Sequence, residues 1–352
     1  MTAIIDALLG LILDPSGLPI QNATSINSGY LYGNRVINGA QEIDQVNQGA
    51  AVTPTTDPFY LTDMFGGSLS VASKLTYQQV VDAPAGLKNS LKVTVASQYS
   101  PVATDYFLLK THIEGKDVID FQLGTSGAAT FTLSNWIKGS VPGTYAVTLR
   151  NGALNRSYVG TVAVTTSWAP VKITVTGDLT GTWATDNTTG LILSWDLGSG
   201  SNYQTVAGAW QAGNYLRTAG SVTFVNQIAG STLNITGVDC RLGSVAPSYF
   251  ERRANESQLV KRYVQWCPFN QNFYPTVASQ ALESTVMWAE MRATPSAAPI
   301  VADPNSSQTT NNNASNLIQR LTPYGGSATL TGISATNTFV IGYRSLLTAR
   351  LF

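Results

Sequence analysis

The chain has 352 residues, which exceeds one average domain and predicts two domains with a terminal segment around a sizeable hydrophobic core. Only 11% of its residues are charged, whereas typical soluble domains have roughly 25%, and a surface so poor in charge is typical of proteins covered by other subunits. Twenty basic and twenty acidic residues give no net charge, which argues against nucleic acid or an anionic membrane surface as the main partner.

The first predicted element is a short amphipathic helix that ends at Asp14 and Pro15. The apolar run has no basic start and is shorter than the ~20 residues of a membrane span, so it predicts neither a secretory signal nor membrane insertion. We interpret residues 1–30 as an anchor that docks on another protein of an assembly or joins sister chains, and a helix folded on its own domain is the alternative. The anchor residues are Ile5, Leu8, Leu9 and Ile12.

Short alternating strands dominate residues 31–255. Apolar and polar residues alternate in several segments separated by turn sequences rich in Gly, Pro and Asn. The clearest are Leu91–Val95, Phe131–Leu133, Tyr145–Leu149, Tyr158–Val164, Val171–Val175 and Leu191–Leu197. Trp195 is predicted to lie in the core, and the dipeptide at Asn151 and Gly152 predicts a type I′ hairpin. Many short strands with few helices predict an all-β fold, a jelly-roll sandwich.

The longest predicted strand covers Leu233–Leu242. Its apolar residues change register at Gly237, where a β-bulge would shift the pattern by one residue. A short helix is predicted to start at Asn255, where Gln258 would complete an Asn-x-x-Gln capping box. Residues 256–352 are predicted to form this helix and a small C-terminal β-domain.

The two cysteines, Cys240 and Cys267, are too few for a disulfide scaffold and lack metal-ligand spacing. We predict two buried free thiols, which would suit assembly in a reducing cytoplasm. The sequence predicts no metal site and no cofactor.

Few residues offer acid–base chemistry. His112 is the only histidine, so a histidine-rich zinc site cannot form, and because no Gly-x-Ser-x-Gly elbow accompanies it we predict a structural role. Two acidic pairs are candidates for glycoside cleavage, Asp117 with Asp120 and Glu42 with Asp44, but no pattern places a sugar between them. The sequence therefore predicts a protein that is not an enzyme.

The candidate ligand-binding residues are aromatic and polar residues in the later part of the predicted sandwich. Trp183, Tyr203 and Trp210 lie in segments rich in Gly, Ser, Thr and Asn. An aromatic ring can cover the C–H face of a sugar, and Asp186 and Asn187 could bond its hydroxyl groups. Packing or a subunit interface is the alternative for the aromatic rings, and an ordinary turn is the alternative for the polar pair.

Three segments resemble motifs of bacteriophage tail-fibre and other virion surface proteins. Ile-Thr-Gly-Val from Ile235, Leu-Gly-Ser from Leu242 and Phe-Glu-Arg-Arg from Phe250 are similar to the end of the jelly-roll domain of that family. Asn-Arg-Val-Ile-Asn-Gly from Asn34 resembles the opening of those domains. Met-Arg-Ala-Thr-Pro from Met291 resembles a strand of their C-terminal domain.

The resemblance covers roughly residues 34–352 and implies a jelly roll like that of carbohydrate-binding modules, a homotrimer and adsorption to host surface polysaccharide. The chain departs from the family at 239–241, which reads Asp-Cys-Arg in place of Gln-Leu-Glu, and at its last residues. The leading hypothesis is a virion structural protein, a tail fibre attached to the particle through its N-terminus and assembled in the host cytoplasm. A capsid decoration or head-fibre protein and a polysaccharide depolymerase are the alternatives.

Overall fold

A computed structural model of the protein describes residues 33–246, 255–269, 282–297, 301–302, 317–319, 321–330 and 343–351. The predicted anchor residues Ile5, Leu8, Leu9 and Ile12 lie outside the described residues. Among the residues that are described, no helix has the length and apolar character needed to cross a membrane.

Two antiparallel sheets form a β-sandwich. In chain order the strands are β1 (Phe59–Tyr60), β2 (Phe65–Leu69), β3 (Leu75–Val80), β4 (Ser90–Val95), β5 (Phe107–Glu114), β6 (Phe131–Gly139), β7 (Gly143–Arg150), β8 (Arg156–Val164), β9 (Ala169–Val175), β10 (Thr189–Asp196), β11 (Trp210–Ala212) and β12 (Thr232–Leu242). The larger sheet has the order β1-β2-β5-β10-β7-β8-β11, and the smaller has the order β3-β4-β12-β6-β9. The fold is the all-β jelly-roll sandwich that the alternating pattern predicts.

The hydrophobic core lies between the two sheets because alternate residues of each strand point inwards. On β10, Leu191, Leu193 and Trp195 are buried, and Trp195 is only 1% exposed, which confirms its predicted core position. Short 3-10 helices connect some of the strands: Gly115–Asp117, Ile119–Phe121, Ser201–Tyr203 and Phe224–Asn226. Phe121 packs on Phe131 of β6 with ring centroids 4.9 Å apart.

The long strand β12 contains the predicted bulge. Its pairing with β6 shifts register between Thr236 and Asp239, and Gly237 has a φ of 60°. The bulge lets Ile235 and Val238 both lie in the core although they are three positions apart, an odd spacing that would otherwise place them on opposite faces. This prediction is confirmed.

The hairpin at Asn151 is confirmed, but the predicted type I′ turn is wrong. Strands β7 and β8 are joined by residues 151–155, and the residue with a left-handed φ in this loop is Leu154, at 55°. The Asn151 side chain closes the loop, because its Oδ1 accepts hydrogen bonds from the amides of Asn155 and Arg156 at 3.0 and 3.1 Å. Hydrogen bonds to the Asn151 side chain therefore close this hairpin, where a two-residue type I′ turn was predicted.

The segment that follows Gly33 is tied to the sandwich by two buried asparagines. Asn34 Oδ1 accepts a hydrogen bond from the Cys240 amide at 3.0 Å, and its Nδ2 donates to the Val238 carbonyl at 3.1 Å. Asn38 Nδ2 donates to the carbonyls of Ile43 and Asp63 at 2.8 and 2.7 Å. The Asn-Arg-x-x-Asn-Gly motif therefore has a structural role here, covering the bulged part of β12.

The later elements form a short helix and two small sheets. They are α1 (Glu256–Lys261), β13 (Val264–Phe269), β14 (Leu282–Met287), β15 (Ser296–Ala297), β16 (Val301–Ala302), β17 (Leu317–Gln319), β18 (Gly325–Leu330) and β19 (Tyr343–Thr348). Strand β19 pairs with β13, β15 and β16, and β18 pairs with β14 and β17. Helix α1 begins after Asn255 as predicted, but the capping box is wrong, because the Asn255 side chain makes no capping hydrogen bond. The domain boundary at residues 255 and 256 stays a prediction.

Both cysteines are free and buried, as predicted. Burial raises the pKa of the Cys240 thiol well above its ordinary value and that of Cys267 to about 11. Both side chains are therefore neutral thiols at physiological pH, and they act as small apolar groups in the packing.

A buried carboxylate connects the sandwich to the later residues. Glu114, at the end of β5, is fully buried and lies 3.2 Å from Lys116 Nζ, 3.3 Å from Arg262 Nη2 and 3.6 Å from Arg292 Nε. Tyr263, beside Arg262 in sequence, belongs to the buried core of the sandwich. The polypeptide after α1 is thus attached to the sandwich by both charge and packing.

Candidate functional site

The outward face of the larger sheet carries polar and charged side chains at its centre. Ile192 of β10 lies between His112 of β5 and Arg150 of β7 in the sheet register. In the next outward-facing row, Ser194 of β10 is the register partner of Lys110 of β5. These residues face outwards because the apolar residues that alternate with them point into the core.

A cleft of about 370 Å³ lies over this face. Small-molecule sites typically measure roughly 300–1,000 Å³ and combine apolar surface with a few polar groups. The polar and aromatic lining residues are Asp57, Ser68, Tyr106, Lys110, His112, Arg150, Thr189, Tyr203 and Asn214. The cleft therefore has the size and composition of a binding site for a small polar ligand or a short segment of a polymer.

Two tyrosines form an aromatic pair in the lining of the cleft. The rings of Tyr106 and Tyr203 meet edge to face, with centroids 6.0 Å apart and an interplanar angle of 83°. The Tyr106 hydroxyl donates to Asp57 Oδ2 at 2.7 Å, and this hydrogen bond raises the pKa of Tyr106 to about 12. The Tyr203 carbonyl accepts hydrogen bonds from the amides of Leu216 and Arg217, which holds its loop in place. The aromatic surface is therefore held in place before any ligand arrives.

The guanidinium of Arg150 is buried in the lining of the cleft. The residue is 4% exposed, its Nη1 donates to Asn214 Oδ1 at 2.8 Å, and its Nη2 donates to Ser194 Oγ at 3.0 Å. Burial lowers the pKa of Arg150 to about 10, so the group stays protonated at neutral pH. Both hydrogen-bond partners are neutral.

Two further basic groups lie close by on β5. Burial lowers the pKa of Lys110 to about 8, and the positive charge of Arg150 adds to this effect. Burial lowers the pKa of His112 well below 6.5, as do the charges of Lys110 and Arg150, so this imidazole is neutral at pH 7. Its Nδ1 lies 3.1 Å from Thr189 Oγ1. The cleft therefore presents two positive charges and one neutral imidazole at pH 7.

The structure separates the predicted aromatic residues. Tyr203 lines the cleft, whereas Trp183 and Trp210 form an edge-to-face pair with ring centroids 5.2 Å apart. The indole nitrogens of this pair donate to the carbonyls of Thr180 and Thr176 at 3.2 and 2.8 Å. Trp183 also lines a second cavity, of about 190 Å³. Ligand contact by the tryptophans stays a prediction.

Asp186 and Asn187 lie in an exposed turn and are not among the described residues that line the cleft. Asp186 Oδ1 accepts hydrogen bonds from the hydroxyl and amide of Thr188 at 2.5 and 2.9 Å, and these bonds lower the pKa of Asp186. Asn187 Nδ2 donates to the Arg292 carbonyl at 2.8 Å, and Arg292 Nη2 donates to the Asn187 carbonyl at 2.9 Å. The observed contacts are those of a turn that joins the sandwich to later residues, and a ligand role for the pair stays a prediction.

The residues of the two candidate acidic pairs are not among the described residues that line the cleft, and they make contacts of their own. Asp120 forms an ion pair with Arg35 at 2.6 Å, and Asp117 lies 3.8 Å from Lys116 Nζ. In the second pair, Asp44 accepts hydrogen bonds from two backbone amides of its own turn. Within the described ranges, no cluster of three or more His, Cys, Asp and Glu residues is arranged to hold a metal ion.

Sequence reasoning missed most of the cleft. Lys110 and His112 alternate with Leu109 and Ile113, and this period of two within an apparently apolar stretch was the available signal for a strand with one polar face. Arg150 lies just before the predicted hairpin and carried no comparable signal. Its position opposite β5 depends on β10, which pairs with both strands.

No protein-family model matches the chain, and no curated protein sequence matches it. Among solved structures, the chain is similar to the CBM22-1 xylan-binding domain of Xyn10C from Paenibacillus barcinonensis, with 11% identity over 61% of this chain and 99% of that one and a TM-score of 0.29. It is similar to the family 11 carbohydrate-binding module of Lic26A-Cel5E from Clostridium thermocellum, with 12% identity, 56% and 100% coverage and a TM-score of 0.29. It is also similar to TmCBM61 in complex with β-1,4-galactotriose, with 12% identity, 60% and 99% coverage and a TM-score of 0.29.

Proposed function

We propose that this chain is a bacteriophage virion surface protein, a tail fibre, whose sandwich binds host surface glycan in the cleft over the larger sheet. The observation that carries the proposal is the combination of the Tyr106 and Tyr203 rings with the polar groups of Lys110, Arg150 and Asn214 in one cleft. Aromatic rings bind the apolar face of a sugar, and fixed polar groups bind its hydroxyls.

The charged groups of the cleft favour binding over hydrolysis. Glycoside hydrolases commonly use two carboxyl groups, separated by roughly 5–9.5 Å. Among the described lining residues Asp57 is the single carboxylate, and its two oxygens accept hydrogen bonds from the Tyr106 hydroxyl and the Leu69 amide. This supports the proposal of a binding protein in preference to a depolymerase.

Trimeric assembly and attachment to the particle through residues 1–30 belong to the same proposal. The low charged fraction of 11% supports extensive contact with other subunits. Several weak glycan sites on one particle would together give firm adsorption, because each further site binds at a high effective concentration.

Tyr203→Ala is expected to weaken glycan binding about tenfold, which corresponds to about 1.4 kcal/mol. The physical reason is the loss of the aromatic surface that Tyr203 contributes to the cleft. Affinity electrophoresis through gels that contain polysaccharide extracted from a host strain, or a panel of neutral and acidic polysaccharides, measures the effect.

Tyr324→Ala is the matched control for that measurement, because Tyr324 is 57% exposed and its hydroxyl lies 3.2 Å from Glu290 in the later part of the chain. Trp183→Ala tests the other aromatic candidate. If Trp183→Ala abolishes binding and Tyr203→Ala does not, the glycan site is at the tryptophan pair and the cleft assignment is wrong. Release of reducing ends from the polysaccharide would identify a depolymerase instead.

The position of the chain in intact particles tests the virion role. Antibodies against the purified full-length protein are expected to label the tail of phage particles in negative-stain electron microscopy. Labelling distributed over the head would identify a capsid decoration or head-fibre protein. Particles that contain none of the protein would contradict the proposal of a virion component.

A further inference from the structure

Arg150 is a buried cation in the lining of the cleft. Burying a guanidinium destabilises the folded chain unless a negative charge compensates it. Its hydrogen bonds to Asn214 and Ser194 use two of its five N–H donors. The Nε atom is buried and has no hydrogen-bond partner among the described residues. Among the described residues, both hydrogen-bond partners of this guanidinium are neutral and none is a carboxylate.

The register of the sheet places a second cation near the first. His112 on β5 and Arg150 on β7 are the register partners of Ile192 on β10, which lies between these two strands, so their Cα atoms lie about 10 Å apart, twice the interstrand spacing. Lys110 precedes His112 by two residues and points to the same face. Arg150 lowers the pKa of Lys110 by charge repulsion. The two cations therefore disfavour each other, and an anion bound between them would relieve that repulsion.

Asp57, the one carboxylate among the described residues that line the cleft, accepts hydrogen bonds from two neutral groups. Asp57 Oδ2 accepts from the Tyr106 hydroxyl at 2.7 Å and Oδ1 from the Leu69 amide at 3.1 Å. Asp57 raises the pKa of Lys110, but less than burial and Arg150 lower it. The cleft therefore has a net positive charge, although the net charge of the whole chain is zero.

We propose that the cleft recognises a sugar residue that carries an anionic substituent, a carboxylate, sulfate or phosphate, placed between Arg150 and Lys110. This rests on the proposed glycan-binding function. The aromatic pair would bind the sugar ring, and the two cations would select the charged ring over a neutral one. An ion pair in a partly enclosed cleft is screened less by salt than one on an open surface.

The test compares one polymer in several chemical forms. Wild-type protein is titrated with polygalacturonate, with the same polymer after reduction of its carboxyl groups to alcohols, and with sulfated and phosphorylated forms of the reduced polymer. We expect binding at least tenfold tighter to the carboxylate form or to one of the other anionic forms than to the reduced form. The tightest anionic form identifies the substituent.

Two variants locate the selectivity. Because both residues also belong to the glycan-binding cleft, the test is the difference between polymers: the loss of affinity for the preferred anionic polymer is expected to exceed the loss for the reduced polymer at least tenfold in Arg150→Met and about threefold in Lys110→Met. Lys172→Met is the matched control, because Lys172 is exposed on β9 of the opposite sheet. Circular dichroism checks that each variant folds. If Arg150→Met does not fold, Lys110→Met alone tests the inference.

Equal binding of the anionic and reduced polymers overturns the inference, as does a loss that is equal on both forms in the cleft variants. A Lys172→Met effect as large as that of Lys110→Met would also overturn it, because binding would then be a general attraction of polyanions. Tyr203→Ala separates the two proposals. If it weakens binding to neutral and anionic polymers alike while no anionic preference exists, glycan binding stands and charge selection fails.

Discussion

Glu114→Gln is expected to lower the free energy of unfolding by about 3 kcal/mol, at the lower end of the effects seen when one partner of a buried ion pair is removed. Glu114 is fully buried and lies within 3.6 Å of Lys116, Arg262 and Arg292. Glutamine has the same shape but no charge, so the three cations would lose their shared counter-ion. Because they are partly exposed, water limits the loss.

Urea unfolding followed by tryptophan fluorescence measures this change. The matched control is Asp120→Asn, since Asp120 forms an ion pair with Arg35 at 2.6 Å but its side chain is 45% exposed. Exposed pairs contribute about 1 kcal/mol or less, so the control is expected to unfold close to wild type. Equal effects of the two substitutions would show that the Glu114 cluster does not join the later residues to the sandwich.

Asp63→Asn is expected to remove about 2 kcal/mol of the change in the unfolding free energy of this protein between pH 4 and about 6. Burial raises the pKa of Asp63 from its ordinary value of 3.8 to about 6, although hydrogen bonds from Gln45 and the charge of Arg350 oppose this effect. Gln45 Nε2 donates to Asp63 Oδ2 at 2.9 Å, and Arg350 Nη2 lies 3.9 Å from Asp63 Oδ1.

The direction follows from the raised pKa of Asp63. Below pH 3.8 the carboxyl is protonated in both the folded and the unfolded chain, and its contribution to stability is complete. Between pH 3.8 and about 6 the unfolded chain ionises first, so the stabilising contribution of this group falls as the pH rises and is lost above the folded-state pKa.

Urea unfolding at half-unit intervals from pH 4 to pH 7 measures this dependence. The comparison uses the slope of the unfolding free energy against pH, because loss of the contact with Arg350 can shift the absolute stability of Asp63→Asn at every pH. Asp120→Asn is expected to keep the wild-type slope. An unchanged slope in Asp63→Asn would mean that other carboxyl groups determine the pH dependence.

The alternation of apolar and polar residues determined the sandwich, the core position of Trp195 and the bulge at Gly237. These features follow from the sequence because the two-residue period of a strand is local, and a break in that period marks a bulge wherever the strand pairs. Burial of Cys240 followed from the same period. The prediction of a type I′ turn at Asn151 was wrong because hydrogen bonds to the Asn151 side chain competed with the backbone preference of the dipeptide.

Only the tertiary structure decided which residues share the cleft. Lys110 and Arg150 come together because β10 pairs with β5 on one side and β7 on the other, and Tyr203 joins them through the loop after β10. Strand order depends on contacts between residues far apart in the chain, which a period along one strand does not encode. The sequence therefore determined which face of each strand is buried, whereas the pairing of strands determined which exposed side chains form a site.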